Sequence, residues 1–298
     1  MNLGYACINL TLSDNKTKIT TNRSMIKNTF LKKGLDYASC LSLLNCQDLI
    51  KILKWNVDNN IHLFRLSSQF FPWASEYNLK DLKNYDQIIS TLFESGSFAK
   101  KHNLRLTAHP GPFNVLVSPN ETVVHNTIND LSIHGEMFDL LGLDRTPYNK
   151  INIHCNGVYG DKLSAMNRFC ENYQKLPISV QSRLTVENDD KPSMYSVKDL
   201  MYIHKKIGIP IVFDYHHHKF CNGGLSESQA LELAISTWPK NIKPIVHYSE
   251  SKSLHELNPN IKEQAHSDYI DNLPELYGFD VDVMVEAKAK ELSILSFL

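Results

Sequence analysis

The sequence predicts a TIM (β/α)8 barrel of the α/β class, and three observations carry that expectation. Short runs rich in β-branched and aliphatic residues alternate with longer stretches of helical period, the pattern of a parallel sheet covered by helices. Eight such runs occur in 298 residues, close to the ~250 residues typical of that barrel. No internal repeat, low-complexity tract or linker cuts the chain, so one domain over residues 1–298 is expected. An open, doubly wound sheet is the alternative.

Taken in order, the first strand is expected over Leu3 to Ile8. The segment that follows, Thr11 to Lys33, is rich in Thr, Asn and Lys and has no clear helical face. It holds Lys16, Lys18, Arg23, Lys27, Lys32 and Lys33 against Asp14 alone, and reads either as a solvated loop or as a basic loop that contacts phosphate on the active face. Tyr37 to Val57 should be a helix, because Leu41, Leu44, Leu49, Ile52, Leu53 and Val57 recur at spacings near three and four. Strand His62 to Leu66, helix Tyr85 to Lys101, strand Leu104 to Ala108 and helix Val123 to Leu141 follow. Then come strand Lys150 to Ile153, helix Leu163 to Tyr173, strand Arg183 to Val186 and helix Val197 to Ile207. Strand Pro210 to Phe213, helix Ser226 to Thr237, strands Pro244 to Val246 and Val281 to Val285, and a last helix Lys288 to Phe297 complete the series.

Composition narrows the functions. With 42% hydrophobic and 21% charged residues the chain is not a disordered polymer. A formal charge of -1 gives no global attraction to nucleic acid or to anionic membrane. There is no apolar stretch of about 18 residues, and Met1 to Leu12 lacks the basic start and apolar run of a signal peptide, so an intracellular protein is expected. Cys7, Cys40, Cys46, Cys155, Cys170 and Cys221 form no C-x-x-C pair and read as reduced, mostly buried thiols. The surplus residue is histidine, with 13 copies, the commonest protein metal ligand.

Placed against the strand ends, the ionisable residues fall into register. The third strand runs into His109, the fourth ends at His154, the fifth at Glu187, the sixth at Asp214 with His217 three residues on, the seventh at His247 and the eighth at Glu286. A lone His or Glu at a strand end is usually a hydrogen-bonded polar residue. Six consecutive strands that deliver a metal-ligand side chain to one barrel mouth are not explained that way. Adding His266 from the loop after the seventh strand gives five imidazoles and three carboxylates, and divalent cations are the economical way to hold them together. That many ligands suit two or three ions, with a carboxylate bridging a pair. Nitrogen and oxygen donors without thiolate fit Mn²⁺ or Zn²⁺. His216 and His218, flanking His217, are expected behind the site or in solvent. Such a cluster suits phosphodiester hydrolysis, with sugar isomerisation as the competing chemistry.

These residues also lie in blocks that resemble the UV damage endonucleases. The opening Met1 to Leu12 with Thr21-Asn22-Arg23, then Phe64-Arg65-Leu66-Ser67-Ser68 with Phe71-Pro72, His109-Pro110-Gly111 and Asn152-Ile153-His154 with Tyr159-Gly160-Asp161-Lys162 carry the resemblance. Leu184 to Lys191, Phe213 to His217, Val246 to Ser249, His266 to Tyr269 and Met284 to Lys288 complete it, in the family's order along essentially the whole chain. The resemblance implies a barrel with up to three metal ions, related in plan to endonuclease IV, that nicks damaged duplex DNA immediately 5′ of pyrimidine dimers and 6-4 photoproducts. By position His109, His154, Glu187, Asp214, His217, His247, His266 and Glu286 fall on its metal ligands, and Tyr5 and Asn9 on residues near the lesion and scissile phosphate.

Three departures bear on activity. Glu76 stands where relatives often carry a histidine, and is a further candidate ligand that would favour a harder cation. Pro112-Phe113 replaces a Gln-aromatic pair that probes the duplex: Phe113 can still wedge or stack, or else pack on Pro110 or Pro112. Ile245 replaces a lysine two residues before His247. Phe71 and Trp73 read as a lid or as a stacking surface for flipped nucleotides. The expectation is thus a monomeric DNA endonuclease without membrane or obligate protein partner. It would use two or three divalent ions, Mn²⁺ first and Zn²⁺ or Mg²⁺ as alternatives, with catalysis carried by Glu187, Glu286, His109 and His154 and DNA or lesion contacts by Tyr5, Asn9, Pro112 and Phe113.

Overall fold

Eight strands form, each within two residues of a run the alternation marks. They are β1 (Leu3–Ala6), β2 (Leu63–Leu66), β3 (Arg105–Ala108), β4 (Ile151–His154), β5 (Leu184–Glu187), β6 (Ile211–Val212), β7 (Ile245–Tyr248) and β8 (Asp282–Val285). The computed structural model describes residues 1–14, 16 and 18–298; the basic loop is therefore described apart from Asn15 and Thr17. All named pairings are parallel, in the order β6-β5-β4-β3-β2-β1-β8-β7. A parallel bridge between Asp214 and His247, with His247 N–H donating to Phe213 O at 2.9 Å, joins the two ends of that sheet. The result is a TIM barrel.

β6 is short because a side chain takes over its ladder. Asn188 donates from Nδ2 to Asp214 O at 3.0 Å and accepts from Asp214 N–H at 2.8 Å, which is the hydrogen bonding a neighbouring strand would otherwise supply.

The helices wrap the outside: α1 (Lys27–Asp58), α2 (Tyr85–Lys101), α3 (Glu121–Leu140), α4 (Lys162–Tyr173), α5 (Ile178–Gln181), α6 (Val197–Ile207), α7 (Tyr215–His218), α8 (Glu227–Ile235) and α9 (Lys252–His255). Their stops and starts are chemically marked. Ser196 and Asp199 form a capping box on α6, and Gly208 ends it in the left-handed region.

Two elements depart from expectation. The helix after β1 starts at Lys27, inside the segment read as loop, and is broken at Gly34, whose φ of 66° suits a residue without Cβ. The residues before that break have no continuous apolar face; Phe30 stacks on Trp73, with ring centroids 5.9 Å apart. The last helix is replaced by two 3-10 turns, Lys290–Ser293 and Leu295–Phe297. Lys290 adopts φ 54°, which stops an α-helix, and the buried Glu291 carboxylate accepts from Thr11 N–H at 2.7 Å instead.

Alternation along the strands divides the core in two. Outward residues such as Leu3, Tyr5, Phe64, Leu66, Ile153 and Val186 belong to the large apolar shell under the helices. Ala6, Leu63, Val212, Ile245 and Met284 make a small apolar cluster inside the barrel. Gly4 faces that interior too, since a Cβ there would lie 2.4 Å from Leu63 Cγ. The rest of the interior is polar, and its upper tier is the site described next.

Candidate metal centre

Strands β2 to β8 contribute to the mouth from their C-terminal ends, because inward positions two apart share a face. Glu187, fully buried, lies at the middle. Its Oε2 is 3.2 Å from His109 Nε2, 3.0 Å from His247 Nδ1 and 3.9 Å from His154 Nε2, and accepts a hydrogen bond from Asn152 Nδ2. Its Oε1 is 3.4 Å from His217 Nδ1. Glu286 Oε1 is 3.1 Å from His247 Nδ1 and is paired with the Arg65 guanidinium. Asp214 Oδ1 accepts from His217 N–H at 2.7 Å, so the carboxylate both caps α7 and aims its histidine.

Three overlapping donor sets arise: His109, His154 and Glu187; Glu187, Asp214 and His217; Asp214, His247 and Glu286. Within each set the donor atoms lie within 4.8 Å of one another. His266 stands at the rim, with its ring 6.3 Å from that of His217.

The electrostatics are those of a site built for cations. Burial alone would raise the Glu187 pKa, but the imidazoles of His247 and His154 outweigh it and hold the carboxyl well below its ordinary range. Burial likewise opposes ionisation of Glu286, and Arg65 and His247 overcome it. At Asp214 burial, with Glu187 and Glu286 nearby, outweighs the opposing His217 ring and pushes the carboxyl up to about 7. Burial takes His247 down to about 4, whereas in His154 the same penalty is overridden by Glu187 and Asp189 and the ring rises to about 10. Glu187 Oε1, Asp214 Oδ2 and His247 Nδ1 are buried without a hydrogen-bond partner. Unpartnered carboxylate oxygens and a ring nitrogen aimed at one space fit divalent ions.

The outer contacts sort the ring nitrogens. His109 Nδ1 lies 3.2 Å from Pro110 O, His217 Nδ1 3.0 Å from Asn188 O, His154 Nδ1 3.4 Å from Asp189 Oδ1 and His266 Nδ1 2.6 Å from Ser249 Oγ. In these four, Nε2 is left for a ligand, the usual way an imidazole ligand is oriented. His247 is reversed: its Nε2 lies 2.9 Å from Lys150 Nζ, and its Nδ1 faces the carboxylates.

The remaining candidates part ways. Phe113 is 87% exposed and Pro112 is exposed beside it. Phe113 lines two cavities of about 320 and 420 Å³, together with Ser68, Gln69 and Asp130, so it is not packed away. Glu76 is exposed, lines the second cavity and is not among the three donor sets above. Tyr5 and Asn9, which the resemblance places near the lesion and scissile phosphate, both have no exposed surface. Tyr5 Oη donates to Asn56 Oδ1 at 2.7 Å and accepts from Asn9 Nδ2 at 2.9 Å, so the Tyr5 hydroxyl is turned toward α1. Phe71 is buried and Trp73 donates from Nε1 to Met25 O at 2.8 Å, which makes them a brace for the basic segment. Arg23 in that segment is engaged by Asp48 at 2.5 Å. His216 and His218 are buried, neither of them in solvent.

Sequence reasoning missed Arg65, Lys150, Asn152 and Asp189. The signal existed for Lys150 and Asn152, which alternate with His154 on one strand face and mark that face as polar.

Among known proteins, the UV-damage endonuclease of Schizosaccharomyces pombe is 36% identical over 301 residues, covering 98% of this chain and 49% of that protein. The UV DNA damage endonuclease of Clostridium perfringens is 35% identical over 303 residues, 99% of this chain and 69% of the relative. The chain thus spans about half the length of the first and about two thirds of the second. The crystal structure of SacUVDE superposes with a TM-score of 0.85 at 32% identity, covering 99% of this chain and 96% of the other. A D-psicose 3-epimerase from Clostridium cellulolyticum H10, with a TM-score of 0.53 and 12% identity over 80% of this chain and 78% of the other, shares the barrel fold alone. The family model for UV-endonuclease UvdE matches residues 1–298. A parallel barrel whose strand ends converge on three overlapping sets of imidazole and carboxylate donors, matched along its whole length by that model, belongs to the UV-endonuclease UvdE family.

Proposed function

We propose that this chain is a metal-dependent endonuclease that cuts damaged duplex DNA on the 5′ side of UV photoproducts, working as one barrel domain over residues 1–298. The observation that carries the reading is the sharing of Glu187 and Asp214 among the three donor sets. Shared carboxylates suit two or three closely spaced divalent ions, Mn²⁺ first among them. His109, His154, Glu187, Asp214, His217, His247 and Glu286 would hold them, with His266 at the rim. When bound, such ions lower the pKa of water and neutralise charge on a phosphate.

The chain's own residues do the rest. Arg65 keeps Glu286 ionised, Asp189 and the Asn188 carbonyl set the rings of His154 and His217, and Asn152 fixes Glu187. Phe113 projects from the β3–α3 loop between its two cavities, where an apolar side chain can enter a disturbed base stack.

The test is strand-specific nicking of a duplex that carries one defined photoproduct, with Mn²⁺, Mg²⁺ and Zn²⁺ compared and an abasic duplex run alongside. Cutting 5′ of the photoproduct is expected. Cutting of the abasic duplex alone would make this an abasic-site enzyme, and no cutting with any of the three ions would overturn the reading.

A further inference from the structure

We infer that Lys150 is a positioning residue, which pins the His247 ring from inside the barrel so that Nδ1 is the nitrogen presented to the metal centre; this rests on the metal-centre reading above.

Three cationic side chains are buried inside or beneath the barrel, and they are not alike. Arg105 has Asp282 at 3.1 Å and donates to the carbonyls of Tyr148 and Lys243. Arg183 has Asp139 at 2.8 Å and donates to the carbonyls of Ser179, Leu143 and Asp144. Both are fully served by the fold. Lys150 is equally buried, and among the described residues it is the one lysine that is. No carboxylate oxygen of the described residues lies within 4.0 Å of its Nζ. Its side-chain hydrogen bond is with His247 Nε2, at 2.9 Å. An amine taken out of water without a counter-ion is costly, so a merely structural lysine here would be better replaced by an apolar residue.

The position matters as much as the burial. Lys150 is two residues before Asn152 and four before His154, on the inward face of the chain entering β4. It therefore reaches His247 from below, on the side away from the mouth. Ile245, the inward residue beneath His247 on β7, is fully buried and offers no hydrogen bond. Lys150 thus supplies the polar contact that β7 itself does not. Whichever partner donates, the contact fixes the ring plane and leaves Nδ1 at 3.0 Å from Glu187 Oε2 and 3.1 Å from Glu286 Oε1. The other four imidazoles are held at Nδ1 from outside; His247 alone among the five is held at Nε2 from inside. Outer contacts of this kind typically set metal affinity by about 10–100-fold.

The test is a double-mutant cycle on metal binding. Metal-free wild type, Lys150→Met, His247→Gln and the double variant are titrated with Mn²⁺ by calorimetry, after thermal melting has shown that each is folded. Lys150→Gln is carried through the same cycle, so that a misfolded methionine variant does not end the experiment. Expected is a loss of about 10–100-fold at one site in Lys150→Met, with the double variant no weaker than His247→Gln. Unchanged affinity in Lys150→Met and Lys150→Gln overturns the inference, as do losses that add in the double variant, because a structural lysine would act independently of His247. If wild type itself binds no divalent ion, the metal-centre reading fails, and this inference with it.

Discussion

Replacing Asp214 by Asn should stabilise the metal-free protein while destroying part of its metal response. The ordinary carboxyl pKa of 3.8 is raised to about 7 at Asp214, chiefly by burial, which with Glu187 and Glu286 outweighs the opposing His217. At about 1.4 kcal/mol per pH unit, that is about 4 kcal/mol by which ionised Asp214 works against the metal-free fold. Asparagine keeps an oxygen to accept from His217 N–H, so the α7 cap survives. Its amide nitrogen would replace Asp214 Oδ2, which has no partner, at a cost of about 1–3 kcal/mol. The net expectation at pH 8 is a gain of about 1–3 kcal/mol, a rise of roughly 2–10 °C in melting temperature for a chain of this size. The sign against pH follows from the raised value. Between 3.8 and about 7 the folded state holds the proton more tightly than the unfolded one, so wild-type stability attributable to this group falls as pH rises through that window. The difference between variant and wild type should therefore shrink toward low pH and reach its full size above about pH 7. Melts from pH 5 to 8 in chelator, repeated with Mn²⁺, measure both parts. A metal-free variant destabilised at pH 8, or a Mn²⁺-induced rise in melting temperature equal to that of wild type, would refute the reasoning.

Glu187→Gln and Glu286→Gln should each lower photoproduct cleavage by more than about 100-fold with circular dichroism unchanged, since each removes an anionic donor from a set the others share; rates within a few-fold of wild type in either would contradict the assignment. Phe113→Ala should leave Mn²⁺ stoichiometry intact and reduce the ratio of damaged to undamaged duplex binding, and an unchanged ratio would strip this exposed ring of its role. Asp282→Ala strands the buried Arg105 guanidinium without its carboxylate and should cost about 3–5 kcal/mol in urea unfolding, while cleavage per folded molecule stays near wild type; a loss below about 1 kcal/mol would show that the Arg105 carbonyl contacts suffice.

The parts of this molecule that were legible in its sequence are those in which one residue carries one signal. Strand positions follow from apolar runs, and the donors at 109, 154, 187, 214, 247 and 286 are visible because each ends or follows such a run. What stayed hidden depends on which face of a strand is the inside. Tyr5 alternates with Gly4 and Ala6, and only small residues fit the interior beside Leu63, so Tyr5 must face the helices and its hydroxyl must find Asn56. Read that way, the alternation already places the Tyr5 side chain on the helix-facing side. Asn188 was invisible for a different reason: its side chain imitates a backbone, completing the β5–β6 ladder at Asp214, and no residue pattern announces that substitution. The break at Gly34 and the turn at Lys290 were likewise decided by backbone conformation and by the Glu291 contact with Thr11, which is 280 residues away in the chain.

Charge is where the two views meet. A formal charge of -1 argues against a nucleic-acid enzyme only if every charged residue is available to the surface. Here Glu187, Asp214 and Glu286 are drawn into the mouth, where Arg65 and the raised His154 ring stand against them, so their charge lies inside the centre and not on the surface. Divalent ions held by these donors would add positive charge there without any change in sequence. The basic segment adds less than its composition promises, because Arg23 is spent on Asp48, on Lys18 O and on Thr20 O, and Lys33 lies over the Tyr37 ring at 4.1 Å. On the proposed function, attraction for a DNA backbone would come chiefly from the loaded metal centre, which would tie substrate binding to metal loading: the same carboxylates that hold the ions would make the mouth able to hold a phosphate.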